Sequence, residues 1–371
     1  MFGAYDDSDL YMRNRVLVQA LVSLADEATF VRPAPAGGGN NYERLRRGGL
    51  SLLARALRHL RSYWRQRSAL AGASLVFIPY PAYGDYLLLR LLRPLRRPPV
   101  LVDAFLDLYE TVVHDRQMVP ERTVRARLVR GLERFVLRGA TGVLVDTRAQ
   151  ARALGERYGL QTRRISVVPV GLDEAVWRPL PRPPADGALR VIFWGTFIPL
   201  HGVATIVAAA RRLADDGAAV EFMLIGDGQS APAVARDLAR RPLANLRWQR
   251  RLLDSSSLRR EIARAHVALG VFGSSAKAAK VVPYKVHQAL ACNRPMITRD
   301  NGELAPLANS GLLLIPAADA GALAAAILRL RDRLRHGEVA ETRALYDRHF
   351  GSDVVRASLR EAVTAAGGDG P

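Results

Sequence analysis

The chain has 371 residues, 49% of them apolar and 7% aromatic, which suffices for packed cores, excludes a wholly disordered protein and makes two domains the default. With 54 basic against 35 acidic side chains the net charge is +19 and the pI near 11.0, so the surface attracts anions such as phosphorylated ligands, nucleic acid or acidic lipid. A single cysteine, Cys292, excludes an intramolecular disulfide and a Cys-rich zinc site, and fits a reducing compartment.

No stretch approaches the roughly 20 consecutive apolar residues of a membrane span, and the first residues lack the basic-then-apolar pattern of a secretory signal. The expectation is a cytoplasmic protein. In chain order, Met1 to Tyr5 reads as the end of a strand running into a turn at Gly3. Residues 14–25 have helical spacing, 28–31 are strand-like, and 33–41 form a loop with the run Gly37, Gly38, Gly39. Leu50, Leu53, Leu57, Leu60 and Trp64 then share one helical face, flanked by Arg55, Arg58, Arg61 and Arg65. This Arg-rich helix, spanning 42–67, suggests attachment to an anionic membrane surface; the alternative is an ordinary core-facing helix with a solvated basic edge.

Short apolar runs at 75–78, 100–102, 142–145 and 165–168 alternate with helical segments, the rhythm of a parallel sheet. Residues 169–184 hold Gly171, Pro179, Pro181, Pro183 and Pro184, which break helix and strand alike. The rhythm restarts with a strand at 189–194, a helix at 202–214 and a strand at 220–225, and continues through helix, strand and helix to a strand at 267–272. A helix at 283–292 with proline in its first turn follows, then strands at 295–298 and 312–315, helix from Asp319, and a tail at 367–371. The predicted class is α/β, with two doubly wound parallel sheets in series. The predicted divisions are an N-terminal domain over 1–170, a Pro-rich linker over 171–188, a C-terminal domain over 189–345, and a final helix and tail over 346–371 that packs back on the N-terminal domain.

In open α/β sheets ligands bind where the carboxyl ends of the strands open into loops, and three such loops stand out. The first runs from Gly195 and Thr196 to His201 and Gly202, and enters a helix whose free N–H groups can bind an anion; a plain turn with a capping glycine is the alternative. The second is Gly226-Asp227-Gly228. Ala231 stands where the dinucleotide fingerprint has its third glycine, and the turn lies deep in the second half rather than in a first βαβ unit, which argues against a nicotinamide enzyme.

The third runs from Phe272 and Gly273 through Lys277 and Lys280 to Val281, Val282 and Pro283, and into the helix bearing Lys285 and Gln288. It contains every lysine of the chain, in a protein whose other cations are arginines. Small residues allow close approach, a helix N-terminus follows, and Lys277 or Lys280 can neutralise a diphosphate while Gln288 bonds ribose hydroxyls. Lys285 reads equally as a ligand or as a solvated lysine near a helix start.

The stretches "GVLVDTRAQARAL", "ISVVPVGLDEAVWRP", "VIFWGTFIPLHGVATIVAAARRL", "VEFMLIGDGQ" and "HVALGVFGSSAKAAKVVPYKVHQALACNRPMITRDNGELAPL" together resemble the family-four GT-B glycosyltransferases, the retaining, nucleotide-sugar-dependent group 1 enzymes. The likeness runs from about Thr141 to Leu307 and is looser before it. It implies two Rossmann-like domains facing a cleft, and transfer of a sugar from a nucleoside diphosphate sugar to a polysaccharide, glycolipid or lipid-linked acceptor. Configuration would be retained, without metal or cofactor. It also implies that Gly195, Thr196, His201, Gly202, Gly226, Gly228, Phe272, Gly273, Lys277, Val281, Val282, Pro283, Lys285 and Gln288 bind the donor.

Where many members carry a Glu-x7-Glu pair, Lys280 and Gln288 stand here, and His201 stands where a basic phosphate contact is usual. This departure leaves a non-catalytic scaffold as the nearer alternative. A nucleic-acid-binding protein is the remoter one, since the basic residues are dispersed and no zinc finger or RRM signature is present. Departure of the diphosphate develops negative charge, so Lys277, Lys280, His201 and the Pro283 helix are the expected stabilisers. From the N-terminal half, Asp103, Asp107 and His114 are candidates for the group nearest the reacting carbon, with Asp115 and Arg116 nearby. Gly3, Arg13, Asn14 and Tyr109 are candidate acceptor-side contacts.

Overall fold

The computed structural model describes residues 1–8, 11–33, 49–70, 72–92 and 98–367, with side chains for all of these except 49–55. The Gly37–Gly39 loop and the predicted start of the Arg-rich helix lie outside the described residues. The chain divides into two compact units. The first comprises Met1–Val113, Met118–Val168 and Val355–Pro371; the second comprises His114–Gln117 and Pro169–Val354.

In the first unit the strands are β1 (Val76–Ile78), β2 (Val100–Asp103), β3 (Gly142–Val145) and β4 (Ile165–Val167), all parallel in the order β1-β2-β3-β4. Each is a short apolar run, as a strand covered on both faces must be. The helices are α1 (Met12–Leu24), α2 (Gly49–Arg65), α3 (Ala82–Leu92), α4 (Val124–Gly139) and α5 (Arg148–Tyr158). Thr123 and Thr147 start the last two by accepting hydrogen bonds from Ala126 N and Gln150 N, and Gly159 ends α5 in the left-handed conformation. The opening residues do act as a strand: Phe2 bridges Val31 in parallel and donates its N–H to Phe77 O at 2.9 Å. The strand-like run at 28–31 contributes that bridge alone. The core joins Phe2, Tyr63, Ile78, Tyr86, Val102, Leu137 and Leu154.

The second unit has six parallel strands: β5 (Leu189–Trp194), β6 (Val220–Ile225), β7 (Leu246–Gln249), β8 (Val267–Leu269), β9 (Met296–Arg299) and β10 (Leu312–Ile315). Their order is β10-β9-β8-β5-β6-β7. The helices α6 (Val203–Asp215), α7 (Ala231–Arg240), α8 (Ser255–Arg264), α9 (Tyr284–Ala291), α10 (Ala320–Arg335) and α11 (Arg343–His349) connect or cover them. Asp254 and Asp319 cap α8 and α10 through their carboxylates. The last helix, α12 (Ser352–Ala365), starts in the second unit and belongs to the first from Val355 onward. The helical stretch predicted from Asp319 is therefore three helices, interrupted at Gly337 and Phe350.

One expectation changed on folding: the strand predicted over 267–272 stops at Leu269 and runs on as a loop. In the Pro-rich segment Trp177 is fully buried in the second unit, and Arg294, also fully buried, donates to Leu180 O, Pro181 O, Ile262 O and Ala263 O. Carbonyls of this segment that no strand uses are thus satisfied by one guanidinium. Among the described residues no helix is long and apolar enough to cross a membrane.

Candidate functional site

The second sheet reverses its winding at β5. From there the chain steps outward to β6 and β7, then returns to place β8 on the other side of β5. Loops leaving β5 and β8 at their carboxyl ends therefore flank a topological switch point, the usual ligand crevice of such sheets. These are the two loops singled out by their glycines, His201 and the lysines.

The loops are knitted together by backbone contacts. Phe272 N and Gly273 N donate to His201 O and Leu200 O, each at 3.1 Å. A Cβ on Gly273 would lie 2.5 Å from Leu200 O, and one on Gly202 would lie 2.6 Å from the carbonyl carbon of Phe272. Gly202 also takes the left-handed conformation, φ 63°, ahead of α6. The absence of side chains here lets the two loops touch. Arg299 holds the second loop from behind by donating Nη1 to Gly273 O at 2.7 Å.

The Gly226-Asp227-Gly228 turn joins the same cluster. A Cβ on Gly226 would collide with Gly195 O, Phe197 N donates to Asp227 O, and Ser230 N donates to Phe197 O. Both glycines have positive φ. Their visible work is loop-on-loop packing, which explains why the dinucleotide fingerprint stops after two glycines. Asp227 itself faces solvent against Arg250 at 3.1 Å.

Lys285 and His201 meet beside Gly195. A Cβ placed on Gly195 would find Lys285 Nζ and His201 Cε1 each 3.4 Å away. Lys285 is 4% exposed, and its Nζ sits 4.7 Å from the centre of the Phe193 ring. Among the described residues it has no hydrogen-bonded or ion-paired partner, so burial pushes its pKa down to about 7. His201 is held neutral: burial first, and then the Lys285 charge, pull its pKa well below the usual imidazole value, and its buried Nδ1 has no partner. One buried cation without a counter-charge and one neutral imidazole therefore share an opening made by a glycine.

The other two lysines differ. Lys277 Nζ is 3.1 Å from Asp115 Oδ2, an ion pair inside the second unit, and Lys280 is half-buried. Sequence spacing grouped the three lysines; folding separates them and gives Lys285 the buried place. Gln288 is also fixed: Trp194 Nε1 donates to its Oε1 at 2.8 Å, leaving the Nε2 hydrogens to donate elsewhere. Trp194 and Phe193 are the residues that sequence reasoning passed over, although an aromatic pair ending a strand just before a glycine was the available signal. Val282 is buried, while Val281 packs with Leu200, Val271 and Ala278 and accepts from Asn301 Nδ2. Thr196 is exposed, and Pro283 caps α9.

The candidates from the N-terminal half make the following contacts. Asp103 is fully buried and both its oxygens accept from Arg13, Nε at 3.1 Å and Nη2 at 3.0 Å, while Arg13 Nη1 reaches Val168 O at 2.8 Å. Asn14 donates to Asp6 O and Tyr80 O. Gly3 adopts φ 135° close against Asp85, whose Oδ2 accepts from Ala4 N. Asp107 accepts from Glu110 N and pairs with Arg157, which also binds Glu110 Oε2 at 2.7 Å. Tyr109 is buried beside them. Its N–H and those around it converge on Glu133, a fully buried carboxylate that accepts from Leu108 N, Tyr109 N, Tyr83 Oη and Tyr158 Oη. His114 is exposed. Among the described residues no three His, Cys, Asp or Glu side chains converge as a metal site needs.

Comparison with known proteins agrees with this geometry. Residues 12–171 match the model for a glycosyl transferase 4-like domain, and residues 188–333 match that for glycosyl transferases group 1. No curated protein sequence matches the chain. Among solved structures, HepE of Anabaena in complex with UDP and glucose superposes with a TM-score of 0.69 at 13% identity, covering 98% of each chain. Sucrose-phosphate synthase of Thermosynechococcus elongatus gives 0.70 at 16% identity, over 97% of this chain and 93% of the other. A glycosyltransferase of Rickettsia africae gives 0.64 at 13%, over 98% and 96%. These likenesses fix the architecture as GT-B, and with a glycosyl transferase 4-like domain followed by a glycosyl transferases group 1 domain the chain is a glycosyltransferase.

Proposed function

We propose that the chain moves a sugar from a nucleoside diphosphate sugar to a polysaccharide, glycolipid or lipid-linked acceptor with retained configuration, and that the donor diphosphate sits against Lys285, His201 and the Gly195 opening. The observation carrying this reading is the buried, unpartnered ammonium of Lys285. A buried cation costs several kcal/mol unless paired, and a diphosphate supplies the missing counter-charge. HepE, which shares the fold, was solved with UDP and glucose, and that supports a nucleotide-sugar donor here.

In this mechanism negative charge grows on the β-phosphate as the glycosidic bond to the donor breaks. Lys285, which takes up a proton from solvent when the diphosphate binds, stabilises that growing charge in a dry setting where a fixed cation is worth most. His201, its ring bonded to the Thr196 backbone, gains a second N–H for the phosphate when the diphosphate's charge protonates it, and α9 begins at Tyr284 on the same loop with an N-terminus that favours an anion. Gln288 Nε2, oriented by Trp194, bonds a ribose hydroxyl. Lys277 and Lys280 sit on the loop before α9 and add long-range attraction. No cofactor is needed beyond the donor. The reaction takes place in the cytoplasm, at the inner face of the membrane where a lipid-linked acceptor is found.

A thermal-shift screen of UDP-, GDP- and ADP-sugars tests the reading. A donor at 100 times its Kd should stabilise the fold by about 2.7 kcal/mol. No shift with any nucleotide at millimolar concentration would overturn it.

A further inference from the structure

The helices covering one face of the first sheet carry apolar side chains on their outside. Right-handed crossovers between neighbouring parallel strands put α3, α4 and α5 on the same face. α2 lies beside α3, its Tyr63 hydroxyl donating to Asp85 at 2.7 Å, and Tyr86 of α3 meets Phe135 of α4 with ring centres 6.1 Å apart. Exposed on these helices, between 48% and 67%, are Leu57, Trp64, Leu91, Val124, Leu128 and Phe135. Among the described residues of the second unit, only Leu252 is a large apolar side chain exposed to that degree.

The charges that α2, α3 and α4 expose have one sign. Arg125, Arg127, Arg130, Arg134 and Arg138 are exposed around Val124, Leu128 and Phe135 on α4. The acids of α2, α3 and α4 are Asp85 and Glu133, and both are buried and hydrogen-bonded inward. At the edge, Arg67 stacks over Trp64 at 4.4 Å. α2, α3 and α4 thus present apolar tips set among arginines with no exposed carboxylate, and α5 on the same face adds one, Glu156, against exposed Arg148 and Arg152.

We propose that this helical layer docks on an anionic phospholipid bilayer, with the apolar tips entering the acyl boundary and the arginines reaching the lipid phosphates. Guanidinium groups on apolar stems suit that boundary, and the charge complementarity selects acidic headgroups. A second copy of the chain would oppose arginines to arginines. Nucleic acid supplies phosphates but leaves Leu128, Val124 and Phe135 without an apolar partner. The inference rests on the membrane-surface part of the proposed function and names the face that meets it.

The test is co-sedimentation of the full chain with phosphatidylcholine vesicles, with or without about 30% phosphatidylglycerol, at low and high salt. The expected result is partition onto the anionic vesicles at least tenfold stronger than onto the neutral ones. One variant, Leu128→Ser with Phe135→Ser, and another, Arg125→Gln with Arg127→Gln and Arg134→Gln, should each weaken it about tenfold. Circular dichroism and nucleotide binding without lipid show that the variants remain folded. Because nucleotide binding is read separately, its loss would strike the donor site and leave the docking result standing. Equal partition onto both vesicles, unchanged binding by both variants, or retention on RNA or self-association in place of vesicles would overturn the proposal.

Discussion

Lys285 Nζ lies 4.7 Å from the centre of the Phe193 ring, across the end of β5, with no carboxylate in reach among the described residues. The ring face offers weak attraction to a cation, well short of the hydration an ammonium gives up on burial. The lysine therefore strains the empty protein and suits the occupied one. Lys285→Met keeps the stem and removes the charge. The expected outcome is a more stable protein, by about 1–3 kcal/mol, with diphosphate affinity reduced at least tenfold. Thermal melts and nucleotide titration of the same preparation check both halves. A lysine with a purely structural role would instead lower the melting temperature on removal.

The same burial gives a pH dependence of defined sign. The folded pKa of about 7 lies below the 10.5 of an exposed lysine, so between those limits the unfolded chain holds a proton that the folded chain lacks. This group's contribution to stability consequently increases as pH rises through the window. A bound diphosphate raises the folded pKa again, so binding takes up a proton. Affinity should fall about tenfold per pH unit above 7 until the bound pKa is reached. Calorimetric titration in two buffers of different ionisation enthalpy measures the proton uptake directly.

How much of this was legible in the sequence depended on distance along the chain. The strand and helix rhythm was readable because apolar runs and caps such as Thr147 and Asp319 are local. The loop glycines and lysines were readable as a cluster. Which lysine is buried was not, because Phe193 and Lys285 are neighbours only after β5 and α9 pack together. Asp103 gave the same difficulty: it reads as a free carboxylate at a strand end, and its partner Arg13 lies 90 residues earlier. Gly226 and Gly228 read as donor-side glycines, and that they also pack against the Gly195–Phe197 backbone is a tertiary fact absent from any local pattern.

Gly273→Ala tests the junction of the two loops. The added methyl group would stand 2.5 Å from Leu200 O and 2.6 Å from Pro199 O, both backbone atoms that cannot rotate aside. The loops must separate, at a cost of about 1–3 kcal/mol. The shift carries His201 away from Gly195, so diphosphate affinity should drop with stability. Gly302→Ala serves as the control, since its added methyl meets nothing and, like Gly273, it does not take a positive φ. A control as damaging to binding as Gly273→Ala would dismiss the junction.

Asp103→Asn separates a supporting carboxylate from a reacting one. Both oxygens of Asp103 accept from Arg13, and burial raises its pKa only against the opposing pull of that guanidinium. Removing the negative charge leaves Arg13 1% exposed and uncompensated, which typically costs about 3–5 kcal/mol. The variant should therefore unfold at markedly lower denaturant concentration, while kcat per folded molecule stays within a few-fold. Arg13→Met alone should destabilise similarly, and combining it with Asp103→Leu should recover much of the loss, because an apolar pair needs no counter-charge. A fall of several orders of magnitude in kcat with unchanged stability would instead return Asp103 to the reacting centre.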